Sequence, residues 1–283
     1  MNSPSRPVTT LDKSEVLDGL FRSWRNIDDL LQTLSAEEWM TPTSLPGWTV
    51  HDVVAHITGT ESMLQGVATP EADIDVSTLT HVRNDIGVMN EHWVRKLRGL
   101  GPAELHQAFR SVTAERREAL SGMPDEQWNA VTATPAGPDT YGRFMRIRVF
   151  DCWMHELDIR DAVALPAGGD ELVCPASQQA LDEMAASMGF VVGKRGGAPE
   201  GSRVSIELTG PLHRMINVSV EGRGRVVPDF GTEQPTSTIT LDGVLFTRIA
   251  GGRTTPDAHE DAIGYGGDEA VGRRIVEHLN YVI

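Results

Sequence analysis

The chain has 283 residues, of which 40% are hydrophobic, and a formal net charge of -15. This length and hydrophobic fraction suit one or two domains with a proper core. The negative charge repels a phosphate backbone, so we expect no nucleic acid among the partners.

Cysteine content and local hydropathy narrow the class of protein further. Cys152 and Cys174 are too few for a disulfide scaffold or a four-cysteine zinc site. The N-terminal stretch MNSPSRPVTT lacks the apolar core of a secretory signal. No stretch approaches the roughly eighteen consecutive apolar residues of a membrane span. We therefore expect a cytoplasmic protein with no membrane partner.

The first two-thirds of the chain is predicted to be helical. Apolar residues recur at helical spacing over 11–34. A second helix is predicted to begin at Thr49, because Thr49 and Asp52 approximate a capping box. Four further helices are predicted at 76–100, 103–120, 143–163 and 175–191. We expect an N-terminal all-α four-helix bundle over residues 8–192.

The sequence pattern changes after this region. Residues 192–202 (VGKRGGAPEGS) are rich in glycine and form the best linker candidate. Beyond them, short runs rich in β-branched residues are separated by Gly/Pro turns, and a helix is predicted at 268–281. The predicted strands span 203–208, 215–220, 224–227 and 236–241. We expect a smaller α+β domain over residues 203–283.

One helix carries a pair of potential metal ligands. Asp151 and His155 are four residues apart, so they share a helix face. His56 lies almost a hundred residues earlier on another predicted helix. Two crossing helices could therefore offer two imidazoles and a carboxylate to one divalent metal, with a coordination position left open. The alternatives are a weak surface ion pair for Asp151 and His155 and a core histidine for His56.

Two charged residues near this pair are candidate catalytic residues. Asp158 follows His155 by three residues and could orient that ligand, or could instead form a salt bridge with a nearby arginine. Arg148 precedes Asp151 by about one turn and could bind the carboxylate of an acidic substrate or of a thiol cofactor. Its alternative is pairing with a neighbouring acid. Cys152 is offset by about 100° from Asp151 around the helix, and it is predicted to be a small buried residue, not a nucleophile.

Several stretches resemble a known family. LPGWTV at 45–50, AH at 55–56 and FDCWMHELD at 150–158 resemble the mycothiol-dependent maleylpyruvate isomerase-like proteins of the DinB-type helical bundle superfamily. TITLDGVLFTRIAGG at 238–252, with GDEA at 267–270, is similar to the C-terminal domain of such proteins, which is related to sterol-carrier folds. The resemblance covers nearly the whole chain.

The resemblance implies a divalent metal, usually zinc, held by His56, Asp151 and His155. Some relatives have Glu where this chain has Asp151. Nickel, iron or manganese would fit the same ligands. The resemblance also implies mycothiol as the thiol, and with it an actinobacterial source. Metal coordination would turn the thiol into a thiolate that attacks a small electrophile, either as an S-transferase or as a cis–trans isomerase. The expected partners are the thiol and the electrophile, and we expect a monomer or a homodimer.

Two alternative functions remain open at this point. The same ligands could activate water in a metal hydrolase, with Glu61 or Asp158 as general base. The protein could also be non-catalytic, with a metal that only stabilises the bundle and a C-terminal domain that binds a lipid. In that case alternating apolar residues would line a cavity, although an ordinary core is the simpler interpretation; these residues are Ile206, Leu208, Val218 and Val220.

Overall fold

A computed structural model describes residues 8–282. Within this range the chain forms two compact units. The helical unit contains residues up to 168 together with 174–180, and the mixed unit contains 169–173 together with 181 onward. Most of the N-terminal stretch in which we predict no secretory signal, and residue 283, fall outside the described range. The domain limits 8–192 and 203–283 stay a prediction.

Four long helices, α1, α2, α4 and α6, form the bundle of the helical unit, and α3 packs on α2. A pair of short strands, β1 and β2, precedes α6. The elements of this unit are α1 Lys13–Thr33, α2 Val50–Leu64, α3 Asp85–Leu97, α4 Pro102–Ser121, α5 Asp125–Trp128, β1 Val131–Thr132, β2 Asp139–Thr140 and α6 Tyr141–Ala162. The predicted all-α four-helix bundle is confirmed.

Local sequence explains where the second helix begins. The Thr49 side chain accepts a hydrogen bond from the backbone N–H of Asp52, and the Asp52 carboxylate accepts one from the backbone N–H of Thr49 at 2.9 Å. This reciprocal capping box satisfies two donors that the first turn would otherwise leave unpaired. The predicted cap is confirmed.

The third helix is shorter than its apolar pattern predicts. It begins at Asp85, because the Asn84 side chain accepts a hydrogen bond from the backbone N–H of Gly87 at 2.9 Å and caps the helix there. Val76–Thr78 forms only a single 3-10 turn. The predicted range of 76–100 is therefore wrong for its first part.

The mixed unit contains a five-stranded sheet against which helices pack. Its strand order is β5-β4-β3-β6-β7, with β3 and β6 parallel and the other neighbours antiparallel. The elements are α7 Gly169–Leu172, α8 Pro175–Phe190 (which begins in the helical unit), β3 Arg203–Thr209, β4 Arg214–Glu221, β5 Arg223–Val227, β6 Ser237–Asp242, α9 Gly243–Ala250, β7 Gly264–Gly267 and α10 Glu269–Glu277. The expected α+β fold is confirmed.

The sheet buries one side of each central strand. Ile206 and Leu208 of β3 and Val218 and Val220 of β4 are at most 5% exposed. Helices α9 and α10 pack against the neighbouring strands. These side chains therefore form the ordinary core of the unit, which was the simpler interpretation of their alternation.

The glycine-rich stretch 192–202 packs against the sheet. A Cβ at Gly193 would lie 2.6 Å from the backbone nitrogen of Gly224, and one at Gly196 would lie 2.8 Å from the Ile275 side chain. Val192 is fully buried. Glycine at these positions permits close backbone approach within the mixed unit.

None of the helices that the structure describes is both long and apolar enough to cross a membrane.

Candidate metal centre

The structure brings His56, Asp151 and His155 together. His56 lies on α2, and the other two lie one turn apart on α6. His56 Nε2 is 3.2 Å from Asp151 Oδ2, and His155 Nε2 is 3.6 Å from Asp151 Oδ1. One potential ligand atom from each residue lies within 4.8 Å of those from the others. The helix crossing expected from the sequence thus exists.

The spacing of these atoms fits a single zinc-sized ion. Zinc binds imidazole nitrogen and carboxylate oxygen at about 2.0–2.2 Å, so neighbouring ligands in a tetrahedron are about 3.3 Å apart. The separations of 3.2 and 3.6 Å, which run to the two different oxygens of Asp151, lie close to this value. Two nitrogens and one oxygen are also a donor set that leaves a fourth position for a substrate. The three residues therefore fit the metal that the resemblance implies.

Asp158 orients one of the imidazoles. Its Oδ2 lies 3.0 Å from His155 Nδ1, so the ring presents Nε2 to Asp151. A carboxylate behind a ligand histidine fixes the tautomer and raises the basicity of the coordinating nitrogen. This contact agrees with the ligand-orienting interpretation of Asp158. His56 Nδ1, by contrast, is buried and has no hydrogen-bond partner among the described residues.

Two of the three ligand side chains are held in the forms that coordinate a cation. Burial opposes ionisation of Asp151, but Arg148 and the two histidines hold the pKa of Asp151 well below its usual range. Burial lowers the pKa of His56. Burial also disfavours the charged form of His155, but the carboxylates of Asp151 and Asp158 overcome this and raise the pKa of His155. At neutral pH, Asp151 is a carboxylate and His56 is neutral, which are the forms that coordinate metal.

Arg148 pairs with two neighbouring acids. Its Nε donates to Glu61 Oε1 at 2.9 Å, and its Nη1 donates to Asp151 Oδ2. This geometry agrees with the pairing alternative, and the role of Arg148 toward a substrate carboxylate stays a prediction. Cys152 is fully buried, and burial raises the pKa of its thiol. Cys152 is therefore a poor nucleophile, as predicted.

The sequence did not indicate two features of the site. The Trp48 ring lies against both imidazoles, with ring centroids 5.3 Å from His56 and 6.3 Å from His155. Its indole N–H donates to the buried carboxylate of Glu91. The other feature is that Glu61, on the ligand-bearing helix α2, has no exposed side-chain surface and forms ion pairs with arginines. The available signal for it was that Glu61 is the only acidic residue of α2 apart from Asp52 of the capping box.

These contacts bear on the hydrolase alternative. Both oxygens of Glu61 accept hydrogen bonds from arginines, and an oxygen of Asp158 faces the ring of His155. A general base must lie within hydrogen-bond reach of the water that it deprotonates. Both carboxylates are therefore already engaged by protein side chains, in roles other than that of a general base.

The chain is similar to known proteins along most of its length. The model of the mycothiol maleylpyruvate isomerase N-terminal domain matches residues 20–160, and that of the MDMPI C-terminal domain matches residues 178–274. Two uncharacterized proteins of Mycobacterium tuberculosis, from strains CDC 1551 / Oshkosh and ATCC 25618 / H37Rv, are each 26% identical over 140 residues, which is 50% of this chain. The match spans about half the length of these relatives, 53%.

Solved structures share the fold of both domains. A crystal structure of the mycothiol-dependent maleylpyruvate isomerase has a TM-score of 0.59 and 18% sequence identity, covering 91% of this chain and 95% of that one. A histidine-to-alanine mutant of that enzyme has a TM-score of 0.58 and 16% identity with the same coverage. At this identity the likeness concerns the fold, whereas the two domain matches concern the family. The chain belongs to the mycothiol maleylpyruvate isomerase family.

Proposed function

We propose that the protein is a metal-dependent enzyme that uses mycothiol against a small electrophile, as a cis–trans isomerase or an S-transferase. The observation that carries this proposal is the convergence of His56, Asp151 and His155 on one point between α2 and α6. Family membership and the solved structures supply the thiol, since the similar enzymes are mycothiol-dependent isomerases. The small-molecule partners, the cytoplasmic location and the monomeric or dimeric state belong to the same proposal.

Some residues of the site bind the metal, and others orient those ligands. His56, Asp151 and His155 bind a divalent metal, with zinc as the expected ion. Asp158 holds the His155 ring and Arg148 holds the Asp151 carboxylate. A bound metal lowers the pKa of a coordinated thiol, so that the thiol is present as a thiolate at neutral pH. The side chains of the protein therefore need not supply the nucleophile, which agrees with the buried state of Cys152.

The two reactions share their first step. The thiolate sulfur forms a bond to one carbon of a polarised double bond, and the electron pair of that double bond moves onto the activating carbonyl. Rotation about the new single bond, followed by cleavage of the carbon–sulfur bond, gives the trans product and returns the thiol. Protonation of the adduct gives an S-conjugate instead. No contact among the described residues distinguishes the two outcomes.

Turnover of maleylpyruvate, with and without mycothiol, tests the proposal. We expect zinc-loaded native protein to consume this cis electrophile, or to conjugate it, only when mycothiol is present. His155→Ala removes one ligand and should abolish turnover. The matched control is His106→Ala, which removes a histidine that pairs with Asp28 away from the cluster and should leave turnover unchanged.

Two results would contradict the proposal. Equal turnover without thiol would favour the hydrolase alternative, in which the metal activates water. Absence of turnover with maleylpyruvate and with a chromogenic aryl halide, in protein that binds zinc stoichiometrically, would favour the non-catalytic alternative. In that case the metal would serve the stability of the bundle alone.

A further inference from the structure

A chain of buried charges extends from the proposed metal ligands into the bundle. Asp151 accepts a hydrogen bond from Arg148, whose Nε donates to Glu61 Oε1 at 2.9 Å. Arg116 Nε donates to the other oxygen, Glu61 Oε2, at 3.0 Å. Arg116 Nη2 also donates to the Tyr141 hydroxyl at 3.1 Å. The side chains of Glu61, Arg116 and Arg148 are at most 4% exposed.

Stability alone does not account for this network. Moving charges out of water costs several kcal/mol per ion, and their mutual attraction often does little more than repay that cost. Apolar side chains of similar volume would fill the same space without the desolvation penalty. The position of the network next to Asp151 suggests a role in the site instead.

The positive charge of Arg148 opposes metal binding at Asp151. A guanidinium that donates to Asp151 competes with a cation for the same carboxylate and repels it. Glu61 offsets this charge, because one of its oxygens accepts a hydrogen bond from Arg148 while the other accepts one from Arg116. Without Glu61, the described contacts would leave Arg148 paired only with Asp151, and Arg116 paired with no carboxylate.

The same ion pair connects the two helices that supply the ligands. Glu61 lies on α2, five residues after His56, and Arg148 lies on α6, three residues before Asp151. A buried, hydrogen-bonded ion pair between these helices restrains how they slide past each other. The separation between His56 Nε2 and the ligand atoms of α6 depends on that register, and ligation tolerates only small shifts.

We propose that Glu61 is a positioning residue for the metal: it neutralises Arg148 and fixes α2 against α6, so that Asp151 can share a cation with His56 and His155. This inference rests on the proposed metal site. It assigns Glu61 to metal affinity, whereas the hydrolase alternative assigned it to acid–base chemistry.

Zinc affinity, measured by competition with a chromophoric chelator, tests the inference. We expect Glu61→Gln to weaken zinc binding about 10–100-fold, the usual effect of losing a group that supports a ligand. The double variant Glu61→Gln/Arg148→Gln removes the repelling charge as well, so it should bind zinc more tightly than Glu61→Gln alone. A network that only stabilises the fold would not produce this recovery.

Asp139→Asn is the matched control. Asp139 is also a buried carboxylate that accepts a hydrogen bond from an arginine of α6, Arg143, but it contacts none of the three ligands. Its replacement should lower the free energy of unfolding and leave zinc affinity unchanged. Circular dichroism checks that each variant is folded at the temperature of the titration.

The possible outcomes separate the two proposals. If native protein binds no zinc, both fail. If native protein binds zinc and Glu61→Gln binds it equally well, or if Asp139→Asn loses as much affinity, only the role of Glu61 is overturned. A double variant no tighter than Glu61→Gln would also overturn it. If Glu61→Gln does not fold, Glu61→Asp carries the test: its shorter carboxylate withdraws from Arg148 and should weaken zinc binding, and native affinity would contradict the inference.

Discussion

Asp158 shows how one residue can act on the site through another. Its carboxylate lies against His155 Nδ1 at 3.0 Å, on the side of the ring opposite the proposed metal. Replacing it with asparagine keeps the shape and removes the charge that supports the ring. We expect Asp158→Asn to weaken zinc binding about tenfold, at the lower end of the range for such groups.

The control for this prediction is an aspartate outside the site. Asp85 is exposed in the first turn of α3, and Asp85→Asn should leave zinc affinity at the native value. Titration of both variants against a chromophoric chelator measures the effect. Equal affinity in the Asp158 and Asp85 variants would show that the carboxylate behind His155 has no influence on the metal.

The sequence predicted the three potential metal ligands but not the contacts of Glu61, and the reason is physical. The one-turn spacing of Asp151 and His155 is a property of a single helix, and the LPGWTV and AH stretches identified His56 through resemblance. The contacts of Glu61 with Arg116 and Arg148 join residues that are 55 and 87 positions apart. Helical periodicity predicts which residues are buried, but it does not predict which side chains of different helices meet.

Strand β2 joins the segment at Thr9 to α6. The Asp139 carboxylate accepts hydrogen bonds from the backbone N–H of Thr9 at 2.7 Å and from Arg143 Nη1 at 2.9 Å. Burial opposes ionisation, but these donors outweigh it and lower the pKa of Asp139 to about 2. The structure thus joins Thr9, a short strand and a long helix through one carboxylate.

This depressed pKa predicts a dependence of stability on pH. The folded form holds Asp139 ionised, so the stabilisation is complete above the pKa of about 4 in the unfolded chain. It declines as the pH falls toward the folded pKa of about 2. We expect Asp139→Asn to cost roughly 2 kcal/mol at pH 7, and the difference from native protein should shrink below pH 4. Urea denaturation at several pH values measures it, and a constant difference would contradict the assignment.

Element boundaries followed from the sequence where a cap or an alternating pattern was present. The capping box at Thr49 and the four runs of β-branched residues gave α2 and strands β3 to β6 within about two residues. Strand β7 was missed because its sequence, Gly264–Gly267, has no apolar alternation. Helix α9 was missed because Asp242, which caps it, is also the last residue of strand β6.

At the scale of the whole molecule, the helical unit and the mixed unit correspond to the two domains that the family models describe. The N-terminal domain match ends at residue 160, within α6, and the C-terminal match begins at residue 178, within α8. All three proposed metal ligands and the Glu61 network lie in the helical unit. The proposed chemistry therefore depends first on whether this unit holds a metal.

Metal content per chain, measured by elemental mass spectrometry, tests this central claim most directly. Native protein should contain close to one zinc ion, and His155→Ala should contain almost none, while His106→Ala should match the native protein. A native protein that lacks metal even after zinc is supplied and the excess removed would contradict the account. Asp151 and His155 would then be a partly buried ion pair on α6.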